Sequence, residues 1–240
     1  MKKLFAVLFF AASSVISSYA QTDKDYKDLL TMFVGEKYEK CLYKAEGYTL
    51  DEKTKKDPLP YLFMSRCYFE MSKRDEFREK YPNAFKDALK YFSKYGSKDK
   101  EHKYGAEYED FFGELRMAAI AEGETMMDTQ KFSKAKQIYD QLLDVDPNDA
   151  GAQLMLGIAF GAMKSKKESE DAIKKAKAIL AEKKASQTKE QLILLKDAIT
   201  RHATNLSATS KDAAKEWLDY GMDYFPEDKE YKLTYDTILG

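Results

Sequence analysis

Residues 116–149 read RMAAIAEGETMMDTQKFSKAKQIYDQLLDVDPND. Two helices are legible in this stretch. Apolar residues recur every three or four positions up to about Asp128, and again from Ser133 to Val145, which is the spacing of one helix face. Gly123 falls in the middle of the first helix. A mid-helix glycine costs about 1 kcal/mol relative to alanine, so it calls for a reason, and close approach of a neighbouring helix is the natural one. Ala135 and Tyr139 stand one turn apart in the second helix and so share a face. There the small residue admits a partner helix and the ring fills the space beside it. Asp146-Pro147-Asn148-Asp149 closes the stretch as a turn that also caps the next helix, Ala150 to Met163. Gly157 lies in the middle of that helix, 34 residues after Gly123. Recurrence at that interval marks a repeat.

This pattern resembles the tetratricopeptide repeat, which carries a glycine in helix A, alanine-x-x-x-aromatic in helix B and a proline after it. Gly123, Phe132, Ala135, Tyr139, Leu142, Leu143 and Pro147 match it well. The next unit, 150–182, keeps Leu156, Gly157 and Phe160; its helix B is shifted by three residues, with Ala172, Ala176 and Ile179 in the packing places. Ala88, Phe92 and Tyr95 look like another helix B, paired with Tyr61, Met64 and Tyr68. Cys41, Ala45 and Tyr48 look like an earlier one. Ala214, Leu218 and Pro226, with Trp217 beside them, look like the last. The resemblance covers most of residues 25–226, as about five helix pairs. It implies an all-α fold: a right-handed superhelical array of antiparallel pairs, with Lys229 to Ile238 as the C-terminal capping helix. Inserts at 49–58, 72–83 and 96–103 break the spacing in the first half. A non-repeat helical bundle is the alternative reading for that half.

Working outward, Tyr26, Leu29, Leu30, Phe33 and Val34 mark a first helix broken by Gly35. A second runs from Tyr38 to Tyr48. Tyr61 to Met71 is apolar on most sides, the mark of a buried helix. Ala84 to Tyr95 is expected to stop at Gly96, where the polar linker GSKDKEHK begins. Glu168 to Ala181, Glu190 to Leu206 and Lys211 to Tyr224 follow. No alternating run defends a strand, and 11 glycines with five prolines suit long helices.

The N-terminus has the form of an export signal. Lys2 and Lys3 precede the apolar run Leu4 to Ala12, and Ser18-Tyr19-Ala20 offers small residues for cleavage after Ala20. The run is too short to cross a membrane core, which takes about 20 residues. The expected mature domain is 21–240, exported to the periplasm or envelope, with no membrane insertion after cleavage. The chain has a formal net charge of −1 and 34% charged residues of both signs, so it carries no global electrostatic footprint for nucleic acid. The two cysteines, Cys41 and Cys67, are too few for a disulfide framework. Two buried thiols are the expected outcome, and a bond between them is the alternative that an oxidising compartment permits.

The resemblance implies a non-catalytic scaffold that binds an envelope or periplasmic protein on the concave face lined by the A helices. Carried over unit by unit, the groove positions are Leu62, Arg66, Phe69, Met117, Ile120, Glu124, Met127, Leu154 and Ile158. The competing reading makes Met117, Ile120, Leu154 and Ile158 inter-helix core. Some members of the family clamp a terminal carboxylate with lysine and asparagine, but Ile120, Glu124, Leu154 and Ile158 occupy those places, so no clamp of that kind is expected. Aromatic residues crowd the chain before Gly113, and exposed tyrosines among them would suit a glycan, the second reading of function. The lysine-rich stretch Lys164 to Lys189 is interrupted by Glu168, Glu170, Asp171 and Glu182 and reads as a solvated face. His102 and His202 are far apart in sequence, and no phosphate loop, strained serine turn or Cys-x-x-Cys is present. No catalytic residue, metal or cofactor is therefore expected. Oligomeric state is not legible.

Overall fold

The computed structural model describes residues 26–182 and 187–240. The expected leader, 1–20, lies outside the described residues. Among those residues the protein is helical throughout, with no strand. The elements are α1 (Lys27–Val34), α2 (Tyr38–Leu50), α3 (Pro58–Ser72), α4 (Asp75–Arg78), α5 (Ala84–Lys98) and α6 (Glu109–Asp128), followed by α7 (Phe132–Val145), α8 (Ala150–Ala162), α9 (Lys166–Ala181), α10 (Lys189–Ser207), α11 (Lys211–Tyr224) and α12 (Lys229–Leu239).

Two local departures from the expected boundaries have physical reasons. Helix α3 begins at Pro58, upstream of Tyr61, and includes Pro60. Proline is tolerated in a first turn, where its missing N–H had no partner to lose. Helix α5 does not stop at Gly96 but continues to Lys98. Gly96 is instead where α5 crosses α7: a Cβ there would lie 2.6 Å from Val145 Cα and 2.7 Å from the Asp144 carbonyl oxygen. The absent side chain lets two backbones touch.

Each helix packs on sequence neighbours or near neighbours. Helix α3 lies between α2 and α5, α5 leans on α7, and α7 contacts both α6 and α8. Helix α8 packs against α9 and α10, and α10 against α11 and α12. In the α6–α7 pair the Tyr139 ring fills the space a Gly123 side chain would take, within 3.0 Å of that missing Cβ. Ala135 is fully buried. In the α8–α9 pair Gly157 plays the same part toward Ile173 and Ser169, and the Ser169 hydroxyl donates to the Gly157 carbonyl at 2.8 Å. Helix α8 is buried on nearly every side; Gly151 in its first turn lies against the Leu194–Leu195 backbone of α10. Buried side chains from Tyr26 to Tyr231 join into one apolar cluster. At about 1.5–3 kcal/mol for each large apolar side chain sealed from water, this cluster is the main source of stability.

Several polar groups inside the core are placed with partners. Asp149 caps α8, accepting from Ala152 N–H at 2.9 Å, and forms an ion pair with Arg116 of α6; both side chains are buried. Burial pushes the Asp149 carboxyl up, and the Arg116 guanidinium and the Ala152 N–H pull it the other way. Thr188 and Gln191 form a reciprocal capping box at the start of α10, and Ser210 and Asp228 cap α11 and α12. Cys41 and Cys67 are free thiols, both buried. The hydrogen bond between them and their burial push the Cys67 thiol well above its ordinary range.

Candidate functional site

The nine residues expected to line a groove divide sharply. Leu62, Phe69, Ile120, Met127, Leu154 and Ile158 are buried and belong to the apolar cluster. Phe69, though buried, lines one wall of an open cleft; a partner cannot reach the other five while the helices stay packed, and their place in the groove assignment is corrected to core. Arg66 and Glu124 are half-buried and Met117 is exposed. These three, with residues the sequence did not single out, define the surface on which a site can be built.

Arg66 sits on α3 in a box of aromatic rings. Its guanidinium carbon lies 3.9 Å from the Phe33 ring centroid, 5.0 Å from Tyr108, 5.4 Å from Phe63 and 5.9 Å from Phe111. The rings come from α1, from α3 itself and from the entry to α6. Helical spacing puts Phe63 one turn before Arg66, and Tyr108 and Phe111 stand one turn apart where α6 begins. A cation over an aromatic face is held by the ring quadrupole, worth about 0.5–2 kcal/mol per well-placed ring. Yet Nε and Nη1 are buried with no hydrogen-bond acceptor. Desolvation lowers the guanidinium from its ordinary value. Neighbouring cations are placed differently: Arg74 forks onto Glu36 at 2.9 and 3.0 Å, and Lys73 reaches Glu70 at 2.7 Å and Glu114 at 3.1 Å.

Between α6 and the start of α10 lies a cleft of about 980 Å³ lined by Phe69, Glu109, Gly113, Met117, Lys189 and Glu190. A second cleft of about 340 Å³ shares Glu109, Gly113 and Glu190 and is floored by Phe92, Tyr95 and Phe112. Its rims are mostly acidic and its floor aromatic.

Further along α6, Glu124 faces a polar group on α10. Arg201 donates to Asp128 at 2.9 Å and lies 3.5 Å from Asp197. Burial and the Asp197 charge push the Glu124 carboxyl up. The Tyr139 hydroxyl points among these charges, wholly buried and without a hydrogen-bond partner.

The described tyrosines are nearly all buried or half-buried. Tyr43 is the one exposed tyrosine among the described residues, while Tyr68 and Tyr91 stack on each other at 5.6 Å. His202 is buried edge-on against Trp217 at 4.9 Å, and burial pushes its imidazole down to about 4. Among the described residues no three His, Cys, Asp or Glu side chains come together as a metal ion requires, and no helix is long and apolar enough to cross a membrane.

Comparison with protein-family models, curated proteins and solved structures finds no match to this chain.

Proposed function

We propose that the protein is a non-catalytic binding scaffold of a bacterial envelope, a tetratricopeptide-like array of helix pairs closed by α12, which holds a partner protein on the side carrying Arg66, Met117 and Glu124. One observation carries the reading: an open cleft between α6 and the start of α10, lined by Met117 together with Phe69, Glu109 and Lys189. A preformed surface of this kind binds without first ordering a loop, which lowers the entropic cost of association. The glycines at the closest approaches of α6–α7 and α8–α9 support the repeat reading. The charged start, short apolar run and Ser18-Tyr19-Ala20 support export.

The glycan reading depended on exposed tyrosines, and with Tyr43 alone in that state nothing favours it. The test is a photo-crosslinking residue at Met117, compared with one at Lys175 on the exposed face of α9. A discrete adduct of constant mass from Met117 and none from Lys175 is expected in envelope fractions. Equal or absent adducts from both positions would overturn the reading.

A further inference from the structure

We propose that the aromatic-floored cavity at the starts of α6 and α10 receives an arginine side chain from a segment of a partner protein, an inference that rests on reading the adjoining cleft as the binding face. The cavity holds about 340 Å³, near the lower end of the range for small-ligand sites, about 300–1,000 Å³. It takes one long side chain and not a folded element. His102, Glu109 and Thr188 in its lining are exposed, so it is reached from solvent. It shares Glu109, Gly113 and Glu190 with the larger cleft, where the rest of the segment has a place.

Charge selects a cation. Glu109 and Glu190 stand in the first turns of their helices, where the helix dipole favours a negative charge, and neither has an ion-pair partner among the described residues. Gly113 lets the Glu190 carboxylate of α10 lie against α6, one oxygen 3.5 Å from where a Cβ would stand. Asp99 and Asp146, also in the lining, accept from neutral donors, the Tyr95 hydroxyl and the Gln191 amide, which leave their charge uncancelled. The arginine in the lining, Arg116, is already paired with Asp149, and Lys189 lines the larger cleft alone. The floor is a second feature, independent of the charge, and it selects the kind of cation. The Phe112 ring centre lies 5.3 Å from that of Phe92 and 5.4 Å from that of Tyr95. A guanidinium is planar and weakly hydrated, stacks on such rings and forks onto a carboxylate, whereas an ammonium is a compact, strongly hydrated charge.

Calorimetric titration of the full chain tests the assignment, with the end-capped pentapeptide Ala-Ala-Arg-Ala-Ala, its citrulline and lysine counterparts, and N-acetyl-arginine amide as probes. The arginine peptide is expected to bind at least about 10-fold more tightly than the citrulline peptide, which keeps the shape and loses the charge. It should also bind more tightly than the lysine peptide and than the single capped residue. The double variant Glu109→Gln/Glu190→Gln, which breaks no ion pair, should bind arginine and citrulline peptides alike. Glu170→Gln, on the exposed face of α9, should keep the preference. Absent binding, equal binding of the arginine and citrulline peptides, or lysine at least as tight as arginine would each overturn the proposal. So would a preference that survives in the double variant or is lost in Glu170→Gln, or a single capped residue as tight as the peptide. A Met117 adduct obtained alongside any of these would leave the scaffold reading standing, so the two fail separately.

Discussion

Asp149 performs two tasks with one carboxylate, capping α8 and neutralising Arg116 in the core. Asp149→Asn keeps an oxygen for the cap but leaves the buried guanidinium without its counter-charge. Breaking a buried pair in this way costs about 3–5 kcal/mol. The urea midpoint should fall accordingly, and the double variant Arg116→Met/Asp149→Asn should recover much of the loss; an additive double variant would show that the pair is not coupled. His202 gives a pH signature of known sign. Unfolded, it takes up a proton near pH 6.5; folded beside Trp217, it resists until about 4. Between those values the unfolded state binds more protons, so stability falls as pH drops from about 6.5 toward 4 and is level above. The window corresponds to about 3 kcal/mol at most. His202→Gln should flatten that part of the stability curve relative to the unaltered protein, and identical pH slopes would refute the assignment.

At the scale of elements, the glycines separate into two kinds. A Cβ on Gly47 of α2 would meet nothing within 4 Å, whereas one on Gly151 would lie 2.7 Å from the Leu195 backbone nitrogen, and one on Gly96 closer still to Val145. Gly47→Ala should therefore raise stability by about 0.5–1 kcal/mol, the ordinary helix preference. Gly96→Ala and Gly151→Ala should lower it by about 1–3 kcal/mol, because a backbone has to move. Thermal midpoints of the three variants decide the matter, and a common sign would mean the crossings are misplaced. The same glycines show how far the sequence could be read. Helices followed from apolar spacing, and Gly123 and Gly157 pointed to close approach because each interrupted a clear helical run. Gly96 misled, since it stood before a polar stretch and so looked like a stop. Met117, Ile120, Leu154 and Ile158 were ambiguous for a deeper reason: an apolar stripe that faces another helix and one that faces a ligand have the same spacing. Arg66 could be placed on a face, but its want of a partner depends on where Phe33, Tyr108 and Phe111 come to rest, and those lie on other elements.

Across the whole molecule, buried residues from Tyr26 to Tyr231 join without a gap. Unfolding should then be one transition. Trp217, the single tryptophan, reports on α11 near the C-terminal end, while far-UV circular dichroism reports on all the helices. The two probes should give coincident urea curves. A tryptophan transition displaced from the dichroism curve would mean that the end of the chain melts as a unit of its own, as arrays with weak interfaces do.

The start signals of the helices are distributed unevenly. Side-chain caps stand at Asp149, Thr188, Ser210 and Asp228, and none is made at the N-termini of α1 through α7. An uncapped helix of this length is marginal in water on its own, and each cap adds about 1 kcal/mol. A peptide spanning 187–240 should therefore hold measurable helicity by circular dichroism at low temperature, and one spanning 26–98 much less; equal content would remove the distinction. During synthesis the N-terminal portion leaves the ribosome first. In this protein that portion has the weaker local start signals, so its helices are expected to depend on the neighbours they pack against rather than on their own caps.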